Sequence, residues 1–218
     1  MADRKSFVVA VDGQAAAGKG TLARRIASHF DFAFLDTGSL YRATGLAVLR
    51  AGGDPADAGQ AAAAAESLDL AAIRPDDLRT EAVGNAASQV AAIPAVRAAL
   101  LAFQRRFARQ PPEDKAGAVL DGRDIGTVVC PDADVKIFVT ASLDVRVERR
   151  IKELRDRGET VIPARVRAEM IARDARDSGR SVAPMVAAAD AWQLDTSGLS
   201  ADQVWNLVRP RIADKFNR

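Results

Sequence analysis

The 218-residue sequence has one cysteine, one histidine and one tyrosine, and aromatic residues make up only 5% of it. With Cys130 alone no intrachain disulfide can form, which fits a reducing compartment. His29 lies far from Cys130 in sequence, so a thiol–imidazole nucleophile has little support. The cysteine reads as a small apolar filler beside Pro131, and the histidine as a solvated residue near a helix end. No His/Cys cluster suggests zinc. Long apolar runs are also missing. Phe7–Val11, ended by Asp12, is too short for the core of a signal peptide, and nothing approaches the ~20 residues of a membrane span. A cytoplasmic protein with no membrane partner is therefore expected. Neither sign of charge dominates, since 31 basic residues face 29 acidic ones. A net charge of +2 makes electrostatic binding to long nucleic acids a poor default.

What remains is ordinary for a globular protein: 48% hydrophobic and 28% charged residues. The length suits a single α/β domain spanning 1–218 with inserted subregions. Phe7–Val11, Phe32–Leu35, Ala118–Leu120 and Val135–Val139 read as buried strands, with Ala191–Leu194 a weaker fifth. Short continuous apolar runs separated by helical stretches are the pattern of a parallel sheet covered on both faces. Between the first two, Leu22, Ile26 and Phe30 recur four apart and give one helix an apolar face. Ser200 with Gln203 has capping-box spacing, and Val204, Leu207 and Val208 supply the expected inward stripe. A doubly wound, three-layer α/β fold with a mainly parallel five-stranded sheet follows. Two intervals break the rhythm: an Ala-rich, mostly helical one at ~41–105, and a charged one at ~152–182. Between Arg146 and Arg180 eleven Lys/Arg face seven Asp/Glu, which suits a local anionic ligand. Ala61–Ala65 reads as plain helix.

The most specific motif is Asp12-Gly13-Gln14-Ala15-Ala16-Ala17-Gly18-Lys19-Gly20-Thr21, directly after a strand and opening an amphipathic helix. Such a loop turns successive backbone amides inward to form an anion nest, and the helix N-terminus adds partial positive charge. Gly13, Gly18 and Gly20 suit positions where a side chain would block phosphates or where φ is positive. Lys19 can reach the β- and γ-phosphates, and the Thr21 hydroxyl can face phosphate or a Mg²⁺ shell. Gly20 stands where the strict phosphate-loop pattern has Ser or Thr, and Thr21 follows it. No Asn-Lys-x-Asp guanine-reading motif occurs.

Further blocks follow in order: Leu35-Asp36-Thr37-Gly38-Ser39-Leu40-Tyr41-Arg42, Asn85-Ala86-Ala87-Ser88-Gln89-Val90-Ala91 leading to Pro94 and Arg97, and Leu120-Asp121-Gly122-Arg123-Asp124-Ile125-Gly126-Thr127. Arg173-Asp174-Ala175-Arg176-Asp177 and Arg180-Ser181-Val182-Ala183-Pro184 complete the set. With the loop, these blocks resemble the bacterial cytidylate kinases, a family of phosphate-loop nucleoside-monophosphate kinases. The resemblance implies a phosphate-loop NTPase fold with its core at 1–40, 106–151 and 183–218. A monophosphate-binding region at 41–105 and a lid at 152–182 would complete it. Two departures stand out. The family usually has Pro and Gly where this chain has Gln14 and Ala16, which would stiffen or reshape the loop. It also usually carries a small antiparallel sheet before Asn85, for which Leu68 to Thr80 reads as too short and strand-poor.

The implied reaction is direct in-line transfer of the γ-phosphoryl group of ATP to CMP or dCMP, with Mg²⁺ bound alongside ATP. The nucleophile is already an anionic phosphate oxygen, so alignment, charge neutralisation and exclusion of water matter more than a general base. An arginine-rich, histidine-poor set suits that demand. Residues 13–21, with Lys19 at the phosphates, would hold ATP, and Arg149 and Arg150 would flank its base. Arg42, Arg123 and Arg173 are candidates for the acceptor phosphate and the γ-phosphate in flight, since guanidinium forks match phosphate geometry. Thr37, Tyr41 and Arg180 would join them on the CMP side, and Asp177 would contact the acceptor sugar. Arg173, Arg176, Asp177 and Arg180 would share one face if helical. Gly158 and Ser181–Pro184 would then serve as hinges of a closing lid. Asp124 is the candidate for the cytosine amino group, with Ser88 and Arg97 serving O2, N3 or the sugar. Asp121, with Thr21, would hold the Mg²⁺ shell through water, and Asp36 is a lesser candidate.

Other readings stay open at this stage. A related phosphate-loop kinase could take UMP, AMP, dTMP or shikimate, and a catalytically idle nucleotide-binding module could carry the same loop. A nucleic-acid-binding protein ranks third, for no recognition motif is visible. A monomer acting on small nucleotides is the expected form.

Overall fold

The computed structural model describes residues 6–69 and 74–217. Five apolar runs form one sheet: β1 (Phe7–Gly13), β2 (Ala33–Asp36), β3 (Gly117–Asp121), β4 (Val135–Thr140) and β5 (Trp192–Asp195). Their order is β2-β3-β1-β4-β5, and every neighbouring pair is parallel. Val8 to Gly13 and all of β3 are buried, which explains why these strands read as unbroken apolar runs rather than alternating ones.

On one face α1 (Lys19–Phe30) and the C-terminal α8 (Ala201–Phe216) pack Leu22, Ile26, Val204, Trp205, Val208 and Ile212 against Val9, Val11, Val119 and Ile137. On the other, α5 (Pro94–Arg109) and the π-turn Ile125–Val129 cover Val8, Ala10 and Leu120. This is the expected three-layer arrangement. The Ser200–Gln203 capping box starts α8 as anticipated. The predicted stripe is corrected at one position: Leu207 is 47% exposed, and Trp205 and Ile212 complete the buried face instead. Cys130 is buried in the second layer. Its thiol is pushed up to about 11, by burial first and by Asp132 second, which suits filler rather than a nucleophile.

Between β2 and β3 the chain is mostly helical: α2 (Thr37–Arg50), α3 (Ala58–Glu66), α4 (Glu81–Val90) and α5. Leu40, Tyr41, Val48, Ala61, Val90, Val96 and Leu100 give these helices an apolar cluster of their own. Alanines 61 and 65 of α3 are the buried contacts that let it lie close to its neighbours. In the Leu68 to Thr80 stretch, residues 70–73 lie outside the described set. The described remainder holds a 3-10 turn, Pro75–Arg79, and no strand. After β4 come α6 (Leu143–Asp156) and α7 (Pro163–Ser178), which share a small apolar cluster of Val147, Leu154, Val166 and Met170. Among the described residues no single helix is long and apolar enough to cross a membrane.

β1 lies between β3 and β4, so chain connections leave it in opposite directions. A crevice forms at such a switch point, beyond the C-terminal ends of the strands. Here those ends are Asp12–Gly13, Asp121 and Thr140.

Candidate active site

Gly13, the last residue of β1, has φ 136°, and a Cβ there would fall 1.9 Å from the Val139 carbonyl oxygen. Glycine is therefore required by the neighbouring strand as much as by any ligand. Asp12 accepts from the amides of Ile125 (2.8 Å) and Gly126 (2.7 Å), tying the loop's root to the turn after β3. Burial pushes the Asp12 carboxyl up to about 7, against the pull of those two amides.

Gly18 has φ 94°, and Ala16 has φ 58°, a left-handed conformation that glycine adopts without the steric cost alanine bears. The Ala16 methyl packs on the α6–α7 cluster. Lys19 is 6% exposed, donates to the Gln14 carbonyl (2.9 Å), and lies 3.9 Å from Asp121. Burial, then repulsion from Arg123, brings its ammonium down to about 7, with Asp121 opposing. The Asp121 carboxyl is raised, chiefly by burial, while Lys19 pulls it down. Thr21 is exposed at the mouth of α1. Gly20 leaves open a niche in which a Cβ would sit 3.2 Å from Asp121 Oδ2 and from Arg24 Nη1.

Opposite the loop, Asp177 gathers the arginines. Its carboxylate, 2% exposed, accepts from Arg123 Nε (3.1 Å) and pairs with Arg180, with Arg173 at 3.9 Å. Burial raises its carboxyl, but Arg123, Arg180 and Arg173 outweigh that and hold it below the ordinary range. Arg173 is brought down to about 9 by burial and by Arg123, with Asp177 opposing and Arg42 and Arg150 adding repulsion. The buried Nε atoms of Arg173 and Arg180 have no hydrogen-bond partner. An excess of buried guanidinium over carboxylate, with donors left idle, is the electrostatic outline of an anion site. Arg173, Arg176 and Asp177 share α7 as expected. Arg180 does not; it follows Gly179, beyond the helix.

The remaining candidates converge on the same cleft, of about 1090 Å³. Arg97, 7% exposed, pairs with Asp124, donates to the Ala91 carbonyl (3.1 Å), and lies over the Tyr41 ring at 5.3 Å. Ser88 accepts from Arg176 Nε (3.1 Å) and donates to Asp177 (3.4 Å). Thr37 is buried and gives its proton to the Asp121 carbonyl (2.8 Å), which orients the end of β3. Arg42 reaches Asp36 at 3.4 Å. Arg150 pairs with Glu153 at the rim. Arg149 stands at the phosphate loop, its Nη1 being the atom nearest to where a Gly18 Cβ would lie, at 4.0 Å.

Two contributors, Arg146 and Thr196, were not visible in the sequence. Arg146, 3% exposed, donates to the Ala141 carbonyl, pairs with Asp174 at 2.7 Å and reaches the Ala15 carbonyl at 3.5 Å. Thr196, after β5, donates its hydroxyl to the Ala17 carbonyl of the loop at 2.9 Å. No local pattern marks them, for their partners are distant in sequence. Among the described residues no group of three or more His, Cys, Asp or Glu side chains could cage a metal ion.

Residues 9–214 match the family model described as cytidylate kinase. The chain is 58% identical to a cytidylate kinase of Rhodospirillum rubrum over 97% of its own length and 100% of that protein's. It is likewise 58% identical to a cytidylate kinase of Paramagnetospirillum magneticum, over 96% and 99% of the two chains. Among solved structures, a protein from Eubacterium ventriosum titled as uncharacterized aligns with a TM-score of 0.55 at 13% identity. That alignment covers 95% of this chain and 99% of the other, and at such identity it speaks for the fold alone.

Proposed function

The chain belongs to the cytidylate kinase family, and on that premise we infer that its cleft moves the γ-phosphoryl group of ATP directly onto the phosphate of CMP or dCMP. The observation that carries this reading is the pair of cationic stations facing one cleft: the glycine loop with Lys19, and the cluster of Arg123, Arg173 and Arg180 around Asp177. One station suits a triphosphate and the other a shorter acceptor.

In the reaction a phosphate oxygen of CMP forms a bond to the γ-phosphorus while the bond from that phosphorus to the β,γ-bridging oxygen breaks, releasing ADP. Loop amides from Gly13 to Thr21 and the Lys19 ammonium bind the tail of ATP. The Lys19 ammonium, disfavoured by burial in the free protein, is restored by the charge of the phosphates. Arg42, Arg123 and Arg173 neutralise the acceptor phosphate and the group in transit, acting through position and charge rather than proton transfer. No residue need act as a base, because the attacking oxygen carries no proton that must leave.

Asp121 beside the open niche at Gly20, with the Thr21 hydroxyl, is a donor set suited to Mg²⁺, which keeps several waters and leans on few protein ligands. When bound with ATP, Mg²⁺ supplies charge neutralisation on the phosphate oxygens.

On the acceptor side, the Asp124 carboxylate takes the cytosine amino group. Arg97, fixed by Asp124 and the Ala91 carbonyl, presents donors toward O2 and N3 with Ser88 beside it. Uracil offers an oxygen where cytosine offers that amine, so the carboxylate repels it. Tyr41 and Thr37 shape this end, and Asp177 and Arg180 serve the sugar and phosphate. On the donor side Arg149 and Arg150 flank ATP. Residues 41–105 form the acceptor-binding region, and 152–182 a lid that dries the site, with Gly158 (φ 79°) and Ser181–Pro184 as its hinges. A cytoplasmic, monomeric enzyme acting on small nucleotides completes the reading.

The test is a coupled assay of ADP release across CMP, dCMP, UMP, AMP, dTMP and shikimate. CMP or dCMP should give the highest kcat/KM. Preference for another acceptor would replace cytidine as the substrate. Tight ATP binding with no acceptor-stimulated ADP would make the chain an idle binding module.

A further inference from the structure

Thr196 is 3% exposed and stands at a junction of three parts of the fold. Its amide donates to the Thr140 carbonyl at 2.9 Å, closing the end of β5 onto β4. Its hydroxyl has one proton and two acceptors in reach: the Ala17 carbonyl at 2.9 Å and the Thr140 carbonyl at 3.1 Å. The second of these already receives the Thr196 amide, so the proton is better used on Ala17. Arg149 then grips Thr196 by both oxygens, Nη1 on the hydroxyl at 3.0 Å and Nη2 on the carbonyl at 2.7 Å. That fork fixes the guanidinium beside Gly18.

In a trans peptide the carbonyl and the following amide point in opposite directions. Drawing the Ala17 carbonyl back toward Thr196 therefore turns the Gly18 amide the other way, toward the cleft that Gly18 lines. One buried hydroxyl thus acts on two donors at once: it aims a loop amide and it seats an arginine.

We propose that Thr196 is a positioning residue for the donor nucleotide, holding the Gly18 amide and the Arg149 guanidinium in the geometry that receives the phosphates of ATP. This rests on the cleft being the ATP-dependent kinase site inferred above. Thr196 never meets the acceptor half of the cleft, so its influence should fall on ATP alone.

The experiment compares Thr196→Val, which keeps size and both backbone bonds but removes the hydroxyl, with Thr196→Ser, which keeps the hydroxyl. Losing one hydrogen bond to the loop corresponds to about a tenfold weaker hold on ATP. Thr196→Val should raise KM for ATP about tenfold, with KM for CMP within about twofold of the parent, and Thr196→Ser should restore ATP to within about twofold. Calorimetric titration with a non-hydrolysable ATP analogue should show the same order of affinities. An unchanged ATP affinity in Thr196→Val overturns the proposal. So does an equal rise in both KM values, since a merely structural latch would loosen the whole cleft. If the valine variant does not fold, Thr196→Ala is the second hydroxyl-free variant and is judged by the same ATP-to-CMP split. A parent protein that makes no CDP refutes the kinase reading instead, and the calorimetric series then decides Thr196 alone.

Discussion

Replacing Asp177 by asparagine keeps the shape of the arginine hub and removes its charge. The side chain is 3% exposed, with Arg123 at 3.1 Å, Arg180 in contact and Arg173 at 3.9 Å. In Asp177→Asn these three guanidinium groups face one another without a counter-charge. Breaking a buried ion pair from one side costs about 3–5 kcal/mol. Arg123 and Arg173 are 17% and 28% exposed and the amide oxygen still accepts, which favours the lower end, about 3 kcal/mol. For a chain of this length that is a fall in Tm of about 6–12 °C. The held-down carboxylate contributes stability above its unfolded value and loses it as pH falls through its lower folded value, so the gap between parent and variant should close on strong acidification. The assay is thermal unfolding in a weakly anionic buffer, repeated with inorganic phosphate. Phosphate replaces the missing charge, so the variant should gain more Tm from it than the parent does. A variant that melts within 2 °C of the parent (against the ~6–12 °C expected), or an equal gain from phosphate in both, would refute the hub as the electrostatic centre of the acceptor site.

Other expectations bear on single residues. Burial brings the Lys19 ammonium down to about 7, so binding a triphosphate near neutral pH should be accompanied by proton uptake at this group. Calorimetry in buffers of different ionisation enthalpy should show that uptake in the parent and lose it in Lys19→Met. Asp124→Ala should erode the preference for CMP over UMP in competing-substrate assays, and an unchanged ratio would remove Asp124 from base reading. Gly13→Ala puts a methyl 1.9 Å from the Val139 oxygen at φ 136°, and should cost more than ~3 kcal/mol in denaturant melts; a near-normal midpoint would show that β4 can retreat. Arg173→Met removes a half-buried cation already brought down to about 9, and should stabilise the free protein by up to about 1 kcal/mol while lowering kcat at least ~100-fold.

Local patterns carried most of the fold. Phe7–Val11 followed by the glycines and Lys19 was legible because strand, loop and helix are contiguous, although Ile125, Gly126, Arg146 and Thr196, all distant in sequence, also hold the loop. Continuous apolar runs located β3 and β4 because both faces of the sheet are covered. The α8 stripe shows where such reasoning stops. Val204, Leu207 and Val208 fit one helical face, but so do Val204, Trp205, Val208 and Ile212, and only the position of α1 decides between them. The spacing of Arg173, Arg176, Asp177 and Arg180 allows one helical face, but the helix ends at Ser178, and nothing in the Ser178-Gly179 pair says where the following arginine turns. The loop's substitutions gave a further lesson. Ala16 occupies the left-handed conformation, and its methyl finds a packing site against α6 and α7. The site's wiring was least legible. Arg123 meets Asp177 across 54 positions and Thr196 meets Ala17 across 179, and a single sequence holds no signal for pairings of that kind.

Lys19 and Arg173 are both cations brought down by burial first and by Arg123 second. A protein selected for stability alone would replace them, or give each a full counter-ion as Arg97 has in Asp124. Instead one carboxylate, Asp177, is shared among three arginines, and two guanidinium Nε atoms stay buried and idle. Supplying more carboxylates would quiet the empty cleft and also compete with the phosphates it has to receive. The under-neutralised cluster thus sets the free protein's stability against the charge it presents to a nucleotide, and the opposite effects expected of Arg173→Met on melting and on turnover follow from that one conflict.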